Sequence, residues 1–162
     1  MCGILGGNNF NDIQEVKNGL ASIMHRGTDG NVIFHFEKSD FYMSHNRLSI
    51  QDLSESANQP LISENEKFVL AFNGEMWKPF FRKFNNKLRK KYNFKTERSD
   101  SELLLYYLID NRDNILEAMK NLDGMFCFAF YDVERNQLTL GRDFIGRLPL
   151  YYAFENEKIV FS

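Results

Sequence analysis

Apolar positions recur along this 162-residue chain at both helical and strand spacing. One apolar stripe at helical spacing predicts a helix over residues 11–26, with Asn11 or Asp12 as its capping residue. The stripe consists of Ile13, Val16, Leu20, Ile23 and Met24. Further helices are predicted over residues 77–92, 99–110 and 114–121. Strands are predicted over residues 2–7, 31–37, 40–45, 67–72, 93–96, 124–133, 137–142, 148–154 and 158–161.

The segment over residues 124–133 is apolar on both faces of its predicted strand. Phe126, Phe128 and Phe130 point to one side, and the intervening Cys127 and Ala129 point to the other. A strand that is apolar on both faces needs cover on both. The short connections between the late strands favour antiparallel pairing. The pattern therefore predicts an α+β sandwich, with two stacked sheets and helices outside them.

Composition narrows the protein class. Hydrophobic residues make up 43% of the chain and charged residues 26%, which excludes a disordered, collagen-like or coiled-coil protein. Aromatic residues reach 15%, so a single domain of this size can build a substantial core. The net charge of −2 does not favour binding to nucleic acid or to an anionic membrane. The basic residues of segment 78–98 are better explained as the solvated face of a helix than as a nucleic-acid site.

Cysteine spacing and hydropathy exclude several further classes. The chain has two cysteines, too few for a disulfide framework. It has no C-x-x-C motif and no paired Cys/His spacing, so we expect no metal site. Its apolar runs are too short to span a bilayer, and its N-terminus lacks the features of a signal peptide. We therefore expect a cytoplasmic location and read the three scattered histidines as structural.

Cys2 is the first candidate for chemistry. Removal of Met1 would leave Cys2 with a thiol and an α-amine on one residue. The amine titrates near pH 8 in unperturbed peptides, so it could act as the base for its own thiol without a histidine. The alternative is that Cys2 is an ordinary residue of a buried strand.

Five further positions carry polar groups suited to a binding site. Arg47 could bind a carboxylate, or form a common surface ion pair. Asn73 and Gly74 could donate to a single oxyanion, although Asn-Gly after a strand is typical of a turn. Glu75 adjoins that pair. Asp100 could accept an ammonium group, or simply favour the start of a helix.

Several motifs, in order, resemble one known family. They are MCGILGG, MHRGTDG, SHNRLSIQDL with QPL, FNGE, SDSE, LDGMFCFAFYD and GRDFIGRLPLYY. This series resembles the glutaminase domain of the class II glutamine amidotransferases, and within them the asparagine synthetase branch. The resemblance implies the four-layer αββα fold of the N-terminal-nucleophile hydrolases.

The resemblance also implies a role for each matching residue. Cys2 corresponds to the nucleophile, and Asn73 and Gly74 to the oxyanion hole. The residues that correspond to the glutamine-binding site are Arg47 for the α-carboxylate, the backbone of Leu48 and Ile50, and Glu75 and Asp100 near the α-amine. The implied reaction converts L-glutamine to glutamate and ammonia through a cysteinyl thioester. The alternative is a non-catalytic glutamine-binding or partner-binding module with the same fold.

The chain departs from the family pattern at several positions and in its extent. Thr28 replaces the usual proline, and Met76, Trp77 and Lys78 replace the usual Ile-Tyr-Asn. We expect residues 1–162 to be a glutaminase domain without its C-terminal end. No synthetase phosphate loop is present, so the resemblance implies no cofactor here. It places ATP and Mg²⁺ only in a synthetase domain or partner that accepts the ammonia.

Overall fold

A computed structural model describes residues 1–50 and 52–162. The helices are α1 (Ile13–Ser22), α2 (Lys78–Lys91), α3 (Asp100–Asp110) and α4 (Ile115–Met119), with a 3₁₀ turn over Met24–Arg26. The strands are β1 (Gly3–Gly7), β2 (Gly30–Phe36), β3 (Phe41–Arg47), β4 (Leu61–Ile62), β5 (Phe68–Met76), β6 (Gly124–Asp132), β7 (Gln137–Arg142), β8 (Tyr152–Glu155) and β9 (Lys158–Phe161).

These strands form two antiparallel sheets. The first has five strands in the order β2-β3-β1-β9-β8, and the second has four in the order β4-β5-β6-β7. In the first sheet Gly3 lies opposite Asn46, so the residues before β1 meet the residues after β3. In the second sheet Asn73 lies opposite Cys127. These two registers bring the candidate site residues toward each other.

Three apolar clusters separate the molecule into four layers. One cluster lies between α1 and the first sheet and includes Leu5, Val16, Leu20 and Tyr42. The second lies between the two sheets and includes Ile4, Met43, Val69, Ala129 and Phe161. The third joins the second sheet to α2, α3 and α4, and includes Phe72, Phe80, Leu104, Ala118 and Phe128. The predicted α+β fold, an αββα sandwich, is thereby confirmed.

Both faces of strand β6 are apolar because each face packs into a different apolar cluster. Phe126, Phe128 and Phe130 belong to the cluster on the helix side. Cys127 and Ala129 belong to the cluster between the sheets. The predicted two-sided burial is therefore correct, and β6 forms part of two of the three cores.

The predicted strand over residues 93–96 is wrong. The backbone N–H groups of Lys95 and Thr96 donate to the carboxylate of Glu102, each at 2.8 Å. This carboxylate sits in the first turn of α3 and takes the place of a partner strand. Segment 93–96 is therefore a loop that is fastened to the start of α3.

Several other predicted boundaries differ from the structure, and the strand predicted over residues 67–72 continues to Met76. The helix predicted over residues 11–26 ends at Ser22, and Asp12 caps it by accepting from the N–H groups of Gln14 and Glu15. The strand predicted over residues 148–154 begins only at Tyr152. Pro149 lacks the N–H group that a strand needs there.

No helix among the described residues is both long and apolar enough to cross a bilayer. Those residues also contain no group of three or more histidine, cysteine or carboxylate side chains placed to hold a metal ion.

Two phenylalanines offer a matched test of the core. Phe128 is fully buried, whereas Phe144 is fully exposed. We expect Phe128→Ala to lower the free energy of unfolding by about 3–5 kcal/mol, because a buried ring is lost and a cavity remains. Phe144→Ala should change it by less than about 0.5 kcal/mol. Urea denaturation of both variants measures this difference, and similar losses would contradict the layer assignment.

Candidate active site

One cavity is lined by all the candidate site residues that were named from the sequence. It has a volume of about 150 Å³ and lies between the ends of β3 and β5 and the start of α3, large enough for roughly five water molecules. The candidate residues that line it are Cys2, Arg47, Leu48, Ile50, Asn73, Gly74, Glu75 and Asp100. Residues that are distant in the sequence thus share one space, while their individual roles stay predictions.

Cys2 is held beside the backbone of Leu48. Its Sγ atom accepts from the Leu48 N–H at 3.4 Å and lies 3.7 Å from the Leu48 carbonyl oxygen. Burial raises the pKa of this thiol, while the Leu48 N–H, the chain amino terminus, Arg47 and Arg26 act in the opposite direction. The thiol is half-buried, so it meets both the cavity and the positive groups around it.

No histidine among the described residues lines this cavity. His45 is fully buried next to β5, and its Nε2 donates to the Phe72 carbonyl oxygen at 3.2 Å. Burial lowers the pKa of His45 to about 4, so its ring is neutral near pH 7. This position agrees with a structural role for His45, and a base for Cys2 must come from another group.

The Asn73-Gly74 pair is not a turn, because β5 continues through it to Met76. Gly74 has a φ of +150°, and a Cβ atom there would lie 2.2 Å from the Met125 carbonyl oxygen. Only glycine fits this conformation and this close approach. Asn73 is buried, its Nδ2 contacts Cys127 Sγ at 3.8 Å, and its Oδ1 has no hydrogen-bond partner. A strongly polar amide is therefore held at the cavity wall.

Arg47 is fixed by neutral oxygen atoms. Its Nη1 donates to the Ser54 carbonyl at 3.1 Å and to Asn58 Oδ1 at 2.5 Å, and its Nη2 donates to the Asp52 carbonyl. None of the ion pairs found among the described residues involves Arg47. Its positive charge is therefore available to a ligand carboxylate, and its orientation is already set.

Asp100 supplies the opposite charge. It follows the capping residue Ser99 at the start of α3, and its Oδ2 accepts from the Met76 N–H at 2.9 Å. Burial, helped by the neighbouring Glu75 carboxylate, raises the pKa of Asp100 to about 6, against the opposing effect of the bonds from backbone N–H groups. A cationic ligand would reverse this shift, because it stabilises the ionised carboxylate.

Further residues line the cavity or support it. Gln59, Ser99, Ser101, Met125 and Leu148 belong to its wall. Gln59 lies in the QPL motif and the two serines flank Asp100, so these three had a signal in the sequence. The contacts that hold Arg47 could not be predicted from the sequence, because two of its three acceptors are the backbone carbonyl oxygens of Asp52 and Ser54, which any residue type carries.

The departures from the family pattern lie at the margin of the site. The turn around Thr28 is tied down by its neighbour Asp29, which donates its N–H to the Arg47 carbonyl at 2.9 Å and accepts from the Ser49 N–H at 2.7 Å. Met76 is buried in the helix-side core. Trp77 lies against the guanidinium of Arg147, and Lys78 begins α2. None of the residues Thr28, Met76, Trp77 and Lys78 lines the cavity.

Comparisons with known proteins agree with this arrangement. A family model described as a glutamine amidotransferase domain matches residues 1–162. A probable glutamine-hydrolysing asparagine synthetase of Dictyostelium discoideum is 34% identical over 168 residues, covering 97% of this chain and 28% of that protein. Asparagine synthetase 1 of Bacillus subtilis is also 34% identical, covering 100% of this chain and 26% of its own length. The chain thus spans between a quarter and a third of these relatives.

A solved structure supports the fold. Glutamine phosphoribosylpyrophosphate amidotransferase from B. subtilis, complexed with ADP and GMP, superposes with a TM-score of 0.75. The match covers 99% of this chain and 41% of the other at 18% sequence identity. At that identity the similarity concerns the arrangement of layers and strands.

The raised pKa of Asp100 predicts a pH-dependent cost in stability. Because folding raises this pKa from 3.8 to about 6, the folded protein loses stability relative to the unfolded chain as the pH rises across that interval. Asp100→Asn removes the titration. We therefore expect the substitution to favour the folded state more at pH 7 than at pH 4. The unfolding free energy of the variant minus that of wild type should be larger at pH 7 by up to about 3 kcal/mol. Denaturation at both pH values measures the change.

The result depends on the difference between the two pH values, so a constant effect of the substitution cancels. Asp113→Asn, at an exposed position, is the matched control and should show a smaller pH dependence. An advantage for Asp100→Asn that does not grow between pH 4 and pH 7 would contradict the burial argument.

Proposed function

Because this chain belongs to the glutamine amidotransferase domain family, we propose that it hydrolyses the side-chain amide of L-glutamine to glutamate and ammonia. The observation that carries the proposal is one cavity lined by the Cys2 thiol, the Arg47 guanidinium and three carboxylate residues, Asp52, Glu75 and Asp100. Free glutamine carries one carboxylate and one ammonium group, and its amide lies at the other end of a short chain. The charges match that head group.

The first step requires a thiolate at Cys2. Once Met1 is removed, the α-amine of Cys2 accepts the thiol proton, because the amine and the thiol belong to the same residue. The sulfur then attacks the amide carbon and forms a C–S bond, while the carbonyl oxygen becomes an oxyanion. The proposed donors to that oxyanion are Asn73 Nδ2 and the Gly74 N–H. Nδ2 carries two hydrogens, so contact with Cys127 leaves one for this task.

The second half of the reaction releases both products. The protonated α-amine returns its proton to the amide nitrogen, the C–N bond breaks, and ammonia leaves. The product on the protein is a γ-glutamyl thioester of Cys2. Water, deprotonated by the same amine, attacks the thioester and restores the thiol as glutamate departs. One backbone amine thus serves as base and acid in turn.

Recognition of the head group accounts for selectivity. Arg47 is proposed to bind the α-carboxylate, and Asp100 and Glu75 to bind the α-ammonium, with the backbone of Leu48 and Ile50 completing the wall. An amide without this head group would leave the buried Asp100 without its counter-charge. Such a site discriminates strongly, because the unmatched polar groups belong to the protein.

The length of the relatives suggests the destination of the ammonia. The chain spans 28% of the Dictyostelium discoideum protein and 26% of the Bacillus subtilis one. We propose that an ATP-dependent synthetase domain or subunit accepts the ammonia, and that ATP and Mg²⁺ act only there. The glutaminase step uses side chains and a backbone amine alone, so we propose no cofactor for residues 1–162, no nucleic-acid partner and a cytoplasmic location.

Replacement of Cys2 tests the nucleophile. Intact mass first establishes that Met1 is absent from the sample. Wild-type protein should then release glutamate from glutamine, and Cys2→Ala should release none, because no carbon–sulfur bond can form. Hydroxylamine should divert the wild-type product to γ-glutamyl hydroxamate, since it intercepts a thioester.

Calorimetry separates catalysis from binding. Cys2→Ala should still bind glutamine, because the head-group charges remain. Wild-type protein that lacks Met1 and binds glutamine without forming glutamate would overturn the enzyme and support a binding module.

Replacement of Asp100 tests the role of charge. We expect Asp100→Asn to raise the KM for glutamine by about tenfold or more, the effect of losing one charge-assisted hydrogen bond. The kcat should change much less, because Asp100 contacts the head group and not the reacting carbon. Steady-state kinetics on glutamine, with asparagine and propionamide as poor comparison substrates, check both parts. A large fall in kcat at unchanged KM would refute the assignment.

A further inference from the structure

Gln59 places a buried amide at the wall of the candidate active site. The residue is only 7% exposed, and it borders the same cavity as Arg47. Its Oε1 atom accepts from the Phe72 N–H at 2.7 Å. Leu61 pairs with Leu70 between β4 and β5, and extension of this register places Gln59 opposite Phe72. The side-chain oxygen therefore takes the place of a strand carbonyl just beyond the end of β4.

This hydrogen bond decides which way the Gln59 amide points. A backbone N–H can only donate, so the atom that faces Phe72 is the oxygen, and the NH₂ group lies on the other side of the amide carbon. Nε2 makes no hydrogen bond to a described residue, and it is not one of the fully enclosed polar atoms that lack a partner. Nε2 is therefore accessible, and the cavity is the open space that Gln59 borders.

Arg47 leaves room for a second donor to the same ligand group. Of its five N–H groups, three are used by the Ser54 carbonyl, Asn58 Oδ1 and the Asp52 carbonyl. Two remain for a ligand, whereas a carboxylate offers about four acceptor positions. Asn58 directly precedes Gln59, so the segment that holds the guanidinium also carries the amide.

The charges of the cavity wall make a second donor useful. Three carboxylate residues, Asp52, Glu75 and Asp100, line the cavity, and Arg47 is the one cationic side chain among the described residues that do so. A ligand carboxylate is repelled by the three acidic groups when they are ionised. A neutral N–H donor stabilises the ligand carboxylate without forming an ion pair with the acidic wall.

We propose that Gln59 binds the α-carboxylate of the substrate, with Nε2 donating to the carboxylate that Arg47 also holds. The inference rests on the proposed recognition of glutamine and deepens it. An amide without the α-carboxylate would leave both donors unmatched, so Gln59 contributes to selectivity. A purely structural Gln59 would need only the oxygen that accepts from Phe72. The two roles therefore differ in whether the NH₂ group matters.

Two substitutions separate these roles. Gln59→Glu keeps the shape and an oxygen acceptor for the Phe72 N–H, but it replaces the NH₂ group by a carboxylate oxygen that repels the substrate carboxylate. Gln59→Met removes the donor and the acceptor without adding a charge. Gln14→Glu makes the first change at an exposed position in the first turn of α1 and is the matched control. Melting temperatures establish which variants are folded.

The first readout is glutamine binding by calorimetry, with each variant combined with the inactive Cys2→Ala. We expect Gln59→Glu to raise the Kd for glutamine at least about tenfold, the effect of losing one hydrogen bond to a charged group. Gln59→Met should raise it about threefold or more, and Gln14→Glu should leave it unchanged.

The second readout is steady-state kinetics with the Cys2 thiol intact. Gln59→Glu should raise the KM for glutamine as it raises the Kd, with a kcat within about twofold of wild type. The kcat/KM for ammonia release from 4-aminobutanamide, which is glutamine without its α-carboxylate, should fall by less than about twofold. A structural disturbance would lower kcat/KM equally for both substrates.

A folded Gln59→Glu that binds glutamine as tightly as Gln14→Glu does would overturn the inference. So would a fall in kcat at unchanged KM, which would assign the NH₂ group to the reacting amide. If Gln59→Glu does not fold, Gln59→Met decides by the same criteria. Absence of glutamine binding to Cys2→Ala would reject both proposals. Wild-type protein that binds glutamine without forming glutamate would reject only the hydrolysis, since calorimetry still tests Gln59.

Discussion

The register between β1 and β3 is the constraint on which the site depends. Gly3 lies opposite Asn46, so Cys2 emerges beside Leu48, directly after Arg47. A slip of one residue would turn the thiol to the opposite face of the sheet and separate it from the cavity. The buried side chains of β1 and β3 resist such a slip, because they fill the cores on both faces of the first sheet.

The site carries an electrostatic cost that its ligand would relieve. Asp100 is buried with a pKa of about 6, so its ionised form is poorly compensated, and Arg47 is held by neutral oxygens without an ion pair to any described residue. A zwitterion supplies both missing partners at once. The unsatisfied charge that favours ligand binding therefore lowers the stability of the folded protein. Burial of the aromatic core on the helix side of the second sheet offsets that loss of stability.

Much of the fold followed from periodicity, and much of the site from ordered motifs. The two apolar faces of β6 require cover on both sides, and that requirement leads to stacked sheets between helices. The loop over 93–96 escaped prediction, because its partner is the side chain of Glu102 and not a strand. The continuation of β5 through Gly74 was not predicted either, since the dipeptide Asn-Gly is typical of a turn and does not reveal the φ of +150° that Gly74 adopts within the strand. The burial that perturbs Asp100 exists only after α3 packs.

The central claim is that oppositely charged groups in one cavity hold a zwitterion beside a thiol, and proton linkage tests it most directly. Glutamine binding to the inactive Cys2→Ala variant can be measured by calorimetry at pH 6 in buffers of different ionisation enthalpy. With a pKa of about 6 for Asp100, each glutamine bound should release roughly half a proton, because the ammonium group favours the ionised carboxylate. Binding at pH 6 without proton release, or with uptake, would contradict the account.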